Sequence, residues 1–250
     1  MVRRASVVGA LMIVGALLAS CADVSSSPTM IPATRTLPLP SPTATRTSVN
    51  MASLNEQLGR AAESGDVPTV RRLLQEGADI NSRDTQGRMP IMLATRANRI
   101  EVVRVLIQAG ADINLRDNQL DNPFLYAGAE GLLEILKLVI DAKPDTKLTN
   151  RFGGTALIPA AERGHVEVVN ELLARTDVNV NHINNLGWTA LLEAIVLSNG
   201  GEKHQRIVQL LIAHDADVNI PDKQGVTPLQ HARARGFQEI ERILLDARAR

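Results

Sequence analysis

The 250-residue chain holds one cysteine, five aromatic residues and no surplus of charge, with 27 Lys and Arg against 27 Asp and Glu. Each shortage excludes something. The single cysteine is Cys21, so no internal disulfide can form after it, and the rest of the chain must hold together by packing alone. Residues 51–250 carry 23 basic and 26 acidic side chains, near −3, which gives no electrostatic case for nucleic acid. The uncharged apolar run from Ala5 to Ala19 falls short of the ~20 residues that span hydrocarbon. Signatures of catalysis are missing as well: there is no His-Glu-x-x-His, no Gly-x-Ser-x-Gly, no phosphate-cradling glycine loop and no Cys-x-x-Cys. His204, His214 and His231 are spaced by 10 and 17 residues, which matches no metal-ligand pattern. No enzymatic activity, cofactor or metal is expected.

What the chain does have is repetition. Gly77-Ala78-Asp79-Ile80-Asn81 returns 33 residues later as Gly110-Ala111-Asp112-Ile113-Asn114, with weaker echoes at Asp177-Val178-Asn179 and Asp217-Val218-Asn219. A period of this length means that each unit is one supersecondary element that stacks on its neighbours to bury its apolar face. Six units are expected, starting near Glu56, Met89, Asn122, Thr155, Thr189 and Thr227. Thr155, Thr189 and Thr227 offer hydroxyls as helix N-caps, and Pro90, Pro123 and Pro228 suit the first helical position. Every first helix has Ala at its sixth position (Ala61, Ala94, Ala127, Ala160, Ala194, Ala232), where packed helices leave room for a methyl group. Breaks at Gly65, Asn98, Gly131, Gly164 and Gly236 lead into second helices with apolar stripes, and Gly77 and Gly110 stop a helix in the left-handed conformation. The predicted fold is an all-α solenoid of helix-turn-helix units with turn or β-hairpin fingers between them.

Gly164-His165-Val166-Glu167-Val168-Val169 and Thr227-Pro228-Leu229 resemble the signatures of the ankyrin repeat, and the resemblance extends over residues 51–250. It implies a monomeric module that binds another protein along a strip formed by the turn tips and the exposed side of the first helices. Transferred unit by unit, that strip holds Thr85, Gln86, Arg88 and Arg96, then Asn118, Gln119, Asp121 and Glu130, then Arg151, Phe152, Glu162 and Arg163. Asn185, Leu186, Trp188 and Leu197 follow, and Lys223, Gln224, Val226 and Arg235 close it. The expected contact centre is Arg151, Phe152, Leu186 and Trp188, with Arg88 and Asp121 beside it, because aromatic and Arg anchors dominate binding hot spots. Phe124 and Tyr126 are assigned to the core, Phe237 to the open end of the stack, and His165 to a structural role.

The chain also departs from the family pattern. The histidine usual after the Thr-Pro-Leu opening is replaced by Gly59, Met92, Leu125, Ile158, Leu192 and Gln230. Pro159 lies inside a first helix, where it removes a hydrogen bond or forces a bend. The fifth unit carries about five extra residues around Ser198–Lys203, and the third ends in Lys143-Pro144-Asp145 without the expected glycine. Arg233, Arg235, Arg242, Arg248 and Arg250 read as the polar outer face of a terminal capping unit.

At the other end, Arg3 and Arg4 precede the apolar run, and Leu18-Ala19-Ser20 precede Cys21. This arrangement resembles a bacterial lipoprotein signal, residues 1–20, with Cys21 lipidated and the chain anchored to a membrane facing the periplasm. Two or three acyl chains give lasting anchorage where one does not. Ala22 after the cysteine favours the outer membrane in a Gram-negative source under the same resemblance. Residues 22–50 contain five Pro, six Thr and five Ser, the composition of a disordered tether that reaches up to ~90 Å when extended. The combined expectation is a membrane-tethered module that captures or inhibits a partner protein, as a toxin-neutralising immunity protein or as the companion of a resident enzyme. A lipoprotein that binds cell-wall polymer and an exported effector remain as alternatives. Metabolic labelling with palmitate should mark the full-length chain in a bacterial host and should not mark Cys21→Ser, which should also leave the membrane fraction.

Overall fold

Residues 42–250 are the ones described by this computed structural model, with side chains from residue 51 onward. Cys21 and most of the expected tether lie outside them. Helix pairs follow one another along the chain: α1 (Pro42–Ser64) with α2 (Val67–Gln75), α3 (Pro90–Arg96) with α4 (Ile100–Gln108), and α5 (Pro123–Glu130) with α6 (Leu133–Asp141). Then come α7 (Leu157–Glu162) with α8 (Val166–Arg175), α9 (Ala190–Val196) with α10 (Glu202–Ala213), and α11 (Pro228–Ala234) with α12 (Gln238–Asp246). First helices pack on first helices and second helices on second helices, so the core is a continuous seam between two layers. All six alanines at the sixth position are buried in it.

Helix α1 begins at Pro42, so residues 42–50 are helical and not part of a disordered tether as the composition suggests. Pro42 stands at the first helical position, where its missing N–H costs nothing, and no further proline follows until Pro68.

The fingers are turns, and no strand occurs among the described residues, which corrects the β-hairpin alternative. The cause is a repeated side-chain clamp. At the base of each finger one Asp or Asn oxygen accepts two backbone N–H groups: Asp84 from Gln86 and Arg88, both at 2.8 Å, and Asn150 from Phe152 at 2.9 Å and Gly154 at 3.0 Å. Asp117, Asn184 and Asp222 do the same. These N–H groups are satisfied locally and need no strand partner.

The recurring Asp-x-Asn has a structural reason. The Asp oxygen accepts the N–H two residues on, as Asp79 does from Asn81 at 2.9 Å. The Asn oxygen then accepts from the next unit: Asn81 from the N–H of Asp112 at 3.0 Å and Asn114 from that of Asp145 at 2.9 Å. In the fourth unit the register falls on Asn179-Val180-Asn181 and not on the echo Asp177-Val178-Asn179, and Asn181 accepts from the N–H of Asp217 at 2.8 Å. Asn55 and Asn219 extend the series at its two ends. Lys147 interrupts it, and there the hydroxyl of Thr146 donates to Asp177 at 2.6 Å instead.

Pro159 shortens its helix. In the other units the first helical bond runs from the fifth residue to the first, as from Tyr126 N–H to the Asn122 carbonyl at 2.9 Å. Pro159 has no N–H to make that bond, so α7 starts one residue late, with Ala156 at its N-cap. Thr189 and Thr227 cap as expected, but Thr155 does not, and its buried hydroxyl has no partner. Lys143 takes the left-handed conformation where glycine was expected, at φ 58°. The extra residues of the fifth unit form a loop before α10, and Phe237 packs against its Gly200, between units five and six and not over the open end.

At the turn position filled by Gly87, Gly153, Gly187 and Gly225 in the other fingers, the third unit has Leu120 at φ 61°. A left-handed leucine is strained by roughly 1–2 kcal/mol. Leu120→Gly is expected to raise stability by ~0.5–1 kcal/mol, less than the full strain because glycine gains freedom when unfolded, as read from the urea midpoint.

Candidate protein-binding groove

A groove of about 620 Å³ crosses the second, third and fourth units between their finger tips and their first helices. All twelve strip residues assigned to these units line it: Thr85, Gln86, Arg88, Arg96, Asn118, Gln119, Asp121, Glu130, Arg151, Phe152, Glu162 and Arg163. Each is placed by its register. A finger clamp holds the turn tip outward, and the eighth and ninth helix positions point away from the alanine seam. Of the expected contact centre, Arg88, Asp121, Arg151 and Phe152 meet here, with Phe152 53% exposed. Leu186 is equally exposed on the next finger and Trp188 is half-buried, but neither lines this groove.

Tyr126 was assigned to the core and is only half-buried, lining the groove with the Arg96 guanidinium 4.6 Å from its ring centre. Phe124 is fully buried, as expected. Tyr126 stands at the fifth position of its unit, a column that also holds Arg60, Leu93, Pro159, Glu193 and His231, and the polar members of this column are the one signal in the sequence that it is not wholly core. Arg151 lies over Phe152 in the same manner, at 4.5 Å.

Charges alternate along the groove. Arg88 is paired with Asp84 at 2.7 Å, and Arg163 with Glu130 at 2.6 Å and with the Ala129 carbonyl at 2.7 Å. Burial, and then the charge of Asp117, hold Asp121 above the usual carboxylate range against the pull of Arg151 and Arg96. Beside Glu162, one unit further, Glu193 is only 5% exposed and accepts from the Asn184 amide at 2.7 Å. Burial and the neighbouring Glu162 push it up to about 7. The histidines serve the scaffold: His204 meets the Glu162 carbonyl at 2.9 Å, His231 meets Asp222 at 2.8 Å, and the His165 ring packs on Gly131. Burial lowers the pKa of His165.

The family model for ankyrin repeats in three copies matches residues 58–149 and 124–219. The chain belongs to the ankyrin repeat family. It is 49% identical over 189 residues to the ankyrin repeat protein YahD of Escherichia coli, covering 76% of this chain and 94% of that one. An ankyrin repeat domain from Acinetobacter baumannii, solved by crystallography, is 54% identical with a TM-score of 0.75 over 77% of this chain and 98% of its own. A cyclin-dependent kinase inhibitor 2A from Monodelphis domestica is 34% identical over 100 residues, 40% of this chain and 54% of that protein. The repeats form a scaffold for protein–protein interaction.

Glu193 makes stability depend on pH. Its folded pKa, about 7, exceeds the ordinary 4.5, so the folded state holds the proton more tightly than the unfolded state does. Its favourable contribution is complete below pH 4.5 and is lost as the pH rises toward and through 7. Glu193→Gln should therefore be more stable than the parent at pH 8, by on the order of 2 kcal/mol, and closer to it at pH 4.5, as read from urea unfolding at the two values.

Proposed function

We propose that this chain is a monomeric, lipid-anchored ankyrin module of the bacterial envelope that captures or inhibits a partner protein through the groove of units two to four. The observation that carries the reading is the groove itself: three consecutive repeats line one groove with four arginines and, from units three and four, the half-buried Tyr126 and the exposed Phe152. Such side chains supply most of the binding energy at protein interfaces. The surrounding residues are tied into the scaffold by their own hydrogen bonds, so the channel is pre-formed and loses little entropy when occupied.

Anchorage rests on the sequence around Cys21, which would place the module on a membrane with its groove facing the periplasm, on the outer membrane if the source is Gram-negative. The inhibitory role, in the manner of an immunity protein against a toxin, is favoured by the likeness to a kinase inhibitor, where a stretch of similar repeats belongs to a protein named for blocking an enzyme. A companion that supports a resident enzyme would use the same surface.

A photo-crosslinking residue at Gln119 in the groove should capture a discrete protein from native envelopes, whereas one at Glu101 on α4 should not. Capture from Glu101 alone would move the binding surface to the other face of the stack. Phe152→Ala should weaken capture by at least about tenfold, in line with the loss of one aromatic anchor, and Trp188→Ala by less.

A further inference from the structure

Arg96 and Arg151 differ from the other arginines of the groove. Among the described residues neither makes an ion pair or a side-chain hydrogen bond, while Arg88 and Arg163 are both bound to carboxylates. Each instead has its guanidinium carbon over an aromatic ring, 4.6 Å from the centre of Tyr126 for Arg96 and 4.5 Å from that of Phe152 for Arg151. A guanidinium held over a ring and without another partner keeps its N–H donors available, and the planar fork of arginine takes a carboxylate through two parallel hydrogen bonds. Arg96 belongs to unit two and Arg151 to unit four, so along the stack the two guanidinium groups flank Asp121 of the third unit, and all three line the same groove.

Resting on the groove as the partner site, we infer that it recognises a peptide segment with two acidic side chains flanking a neutral or basic one. The acidic side chains go to Arg96 and Arg151, and the central residue faces Asp121. A continuous run of acids is disfavoured because its middle member meets Asp121 with Glu162 nearby in the same groove. A basic segment places its flanking charges on two guanidinium groups. The groove therefore selects by repulsion as well as by attraction.

Three fluorescein-labelled nonapeptides test this on the full-length protein: one with Glu on both sides of a central Lys, one all-Glu, and one with Lys on both sides of a central Glu. The first should bind at least about tenfold tighter than the third. The Arg96→Gln/Arg151→Gln double variant should abolish that preference, and Asp121→Asn should narrow the gap between the first and second peptides. Arg151→Gln alone, on an exposed finger tip, gives the same readout with about half the effect should the double variant unfold. Equal or tighter binding of the third peptide, or a preference that survives loss of both arginines, overturns the inference. If Gln119 still crosslinks a partner in the double variant without loss of yield, the groove remains the binding site and only the acidic recognition fails.

Discussion

No helix pair in this chain can cover its own apolar side. The first helices run to only six to eight residues after the first unit, well below the length at which an isolated helix is stable in water. They persist because each lies between two others, and they lie close because every one presents a methyl group at the same position. The column from Ala61 to Ala232 thus sets the spacing of the stack. Everything at the surface inherits that spacing: a finger tip in one unit meets the tip of the next, and a side chain at the eighth position faces its counterpart one repeat away.

Polar side chains do a different job from the core. They run along the stack and tie each repeat to the next, through the asparagine series and through cations that reach back to the end of the preceding first helix. Arg99 donates to the Glu63 carbonyl at 3.0 Å, Arg163 to that of Ala129, and Arg235 to that of Ser198 at 2.7 Å. These bonds satisfy carbonyls that a helix end leaves open. Isolated bonds of this kind contribute about 1 kcal/mol each, but their repetition fixes the register of six units that are otherwise joined by nonspecific apolar contact.

Local rules are broken most often around the third and fourth units. The asparagine series is interrupted at Lys147, Pro159 removes the first bond of α7, and the Thr155 hydroxyl and the Asn122 amide nitrogen are buried without partners. Leu120 sits in a left-handed turn in the same region. The groove crosses these units. Departures from local consistency thus cluster beside the groove, and such departures tend to gather at functional sites. Glu193 belongs to the same pattern, a carboxylate buried next to another without a cation to neutralise either.

The sequence by itself determined the architecture, because the repeat is written in residue types whose chemistry is local. Alanine at a fixed helical position, glycine at most of the left-handed turns, and Asp-x-Asn at most of the junctions follow from steric or hydrogen-bonding needs that recur with the period. The turn-tip residues of the groove were legible for the same reason, since their register follows from the period. Tyr126, Glu193 and the stacking of Arg96 and Arg151 were not. A tyrosine in a short apolar helix reads as core until its neighbours are placed, and a guanidinium over a ring depends on side-chain placement, between neighbouring helices for Arg96 on Tyr126 and between adjacent turn residues for Arg151 on Phe152. Those facts were decided only by the tertiary structure, because they depend on which face of one repeat lies against the next, and single-chain periodicity gives the spacing of the units without giving the company that each side chain keeps.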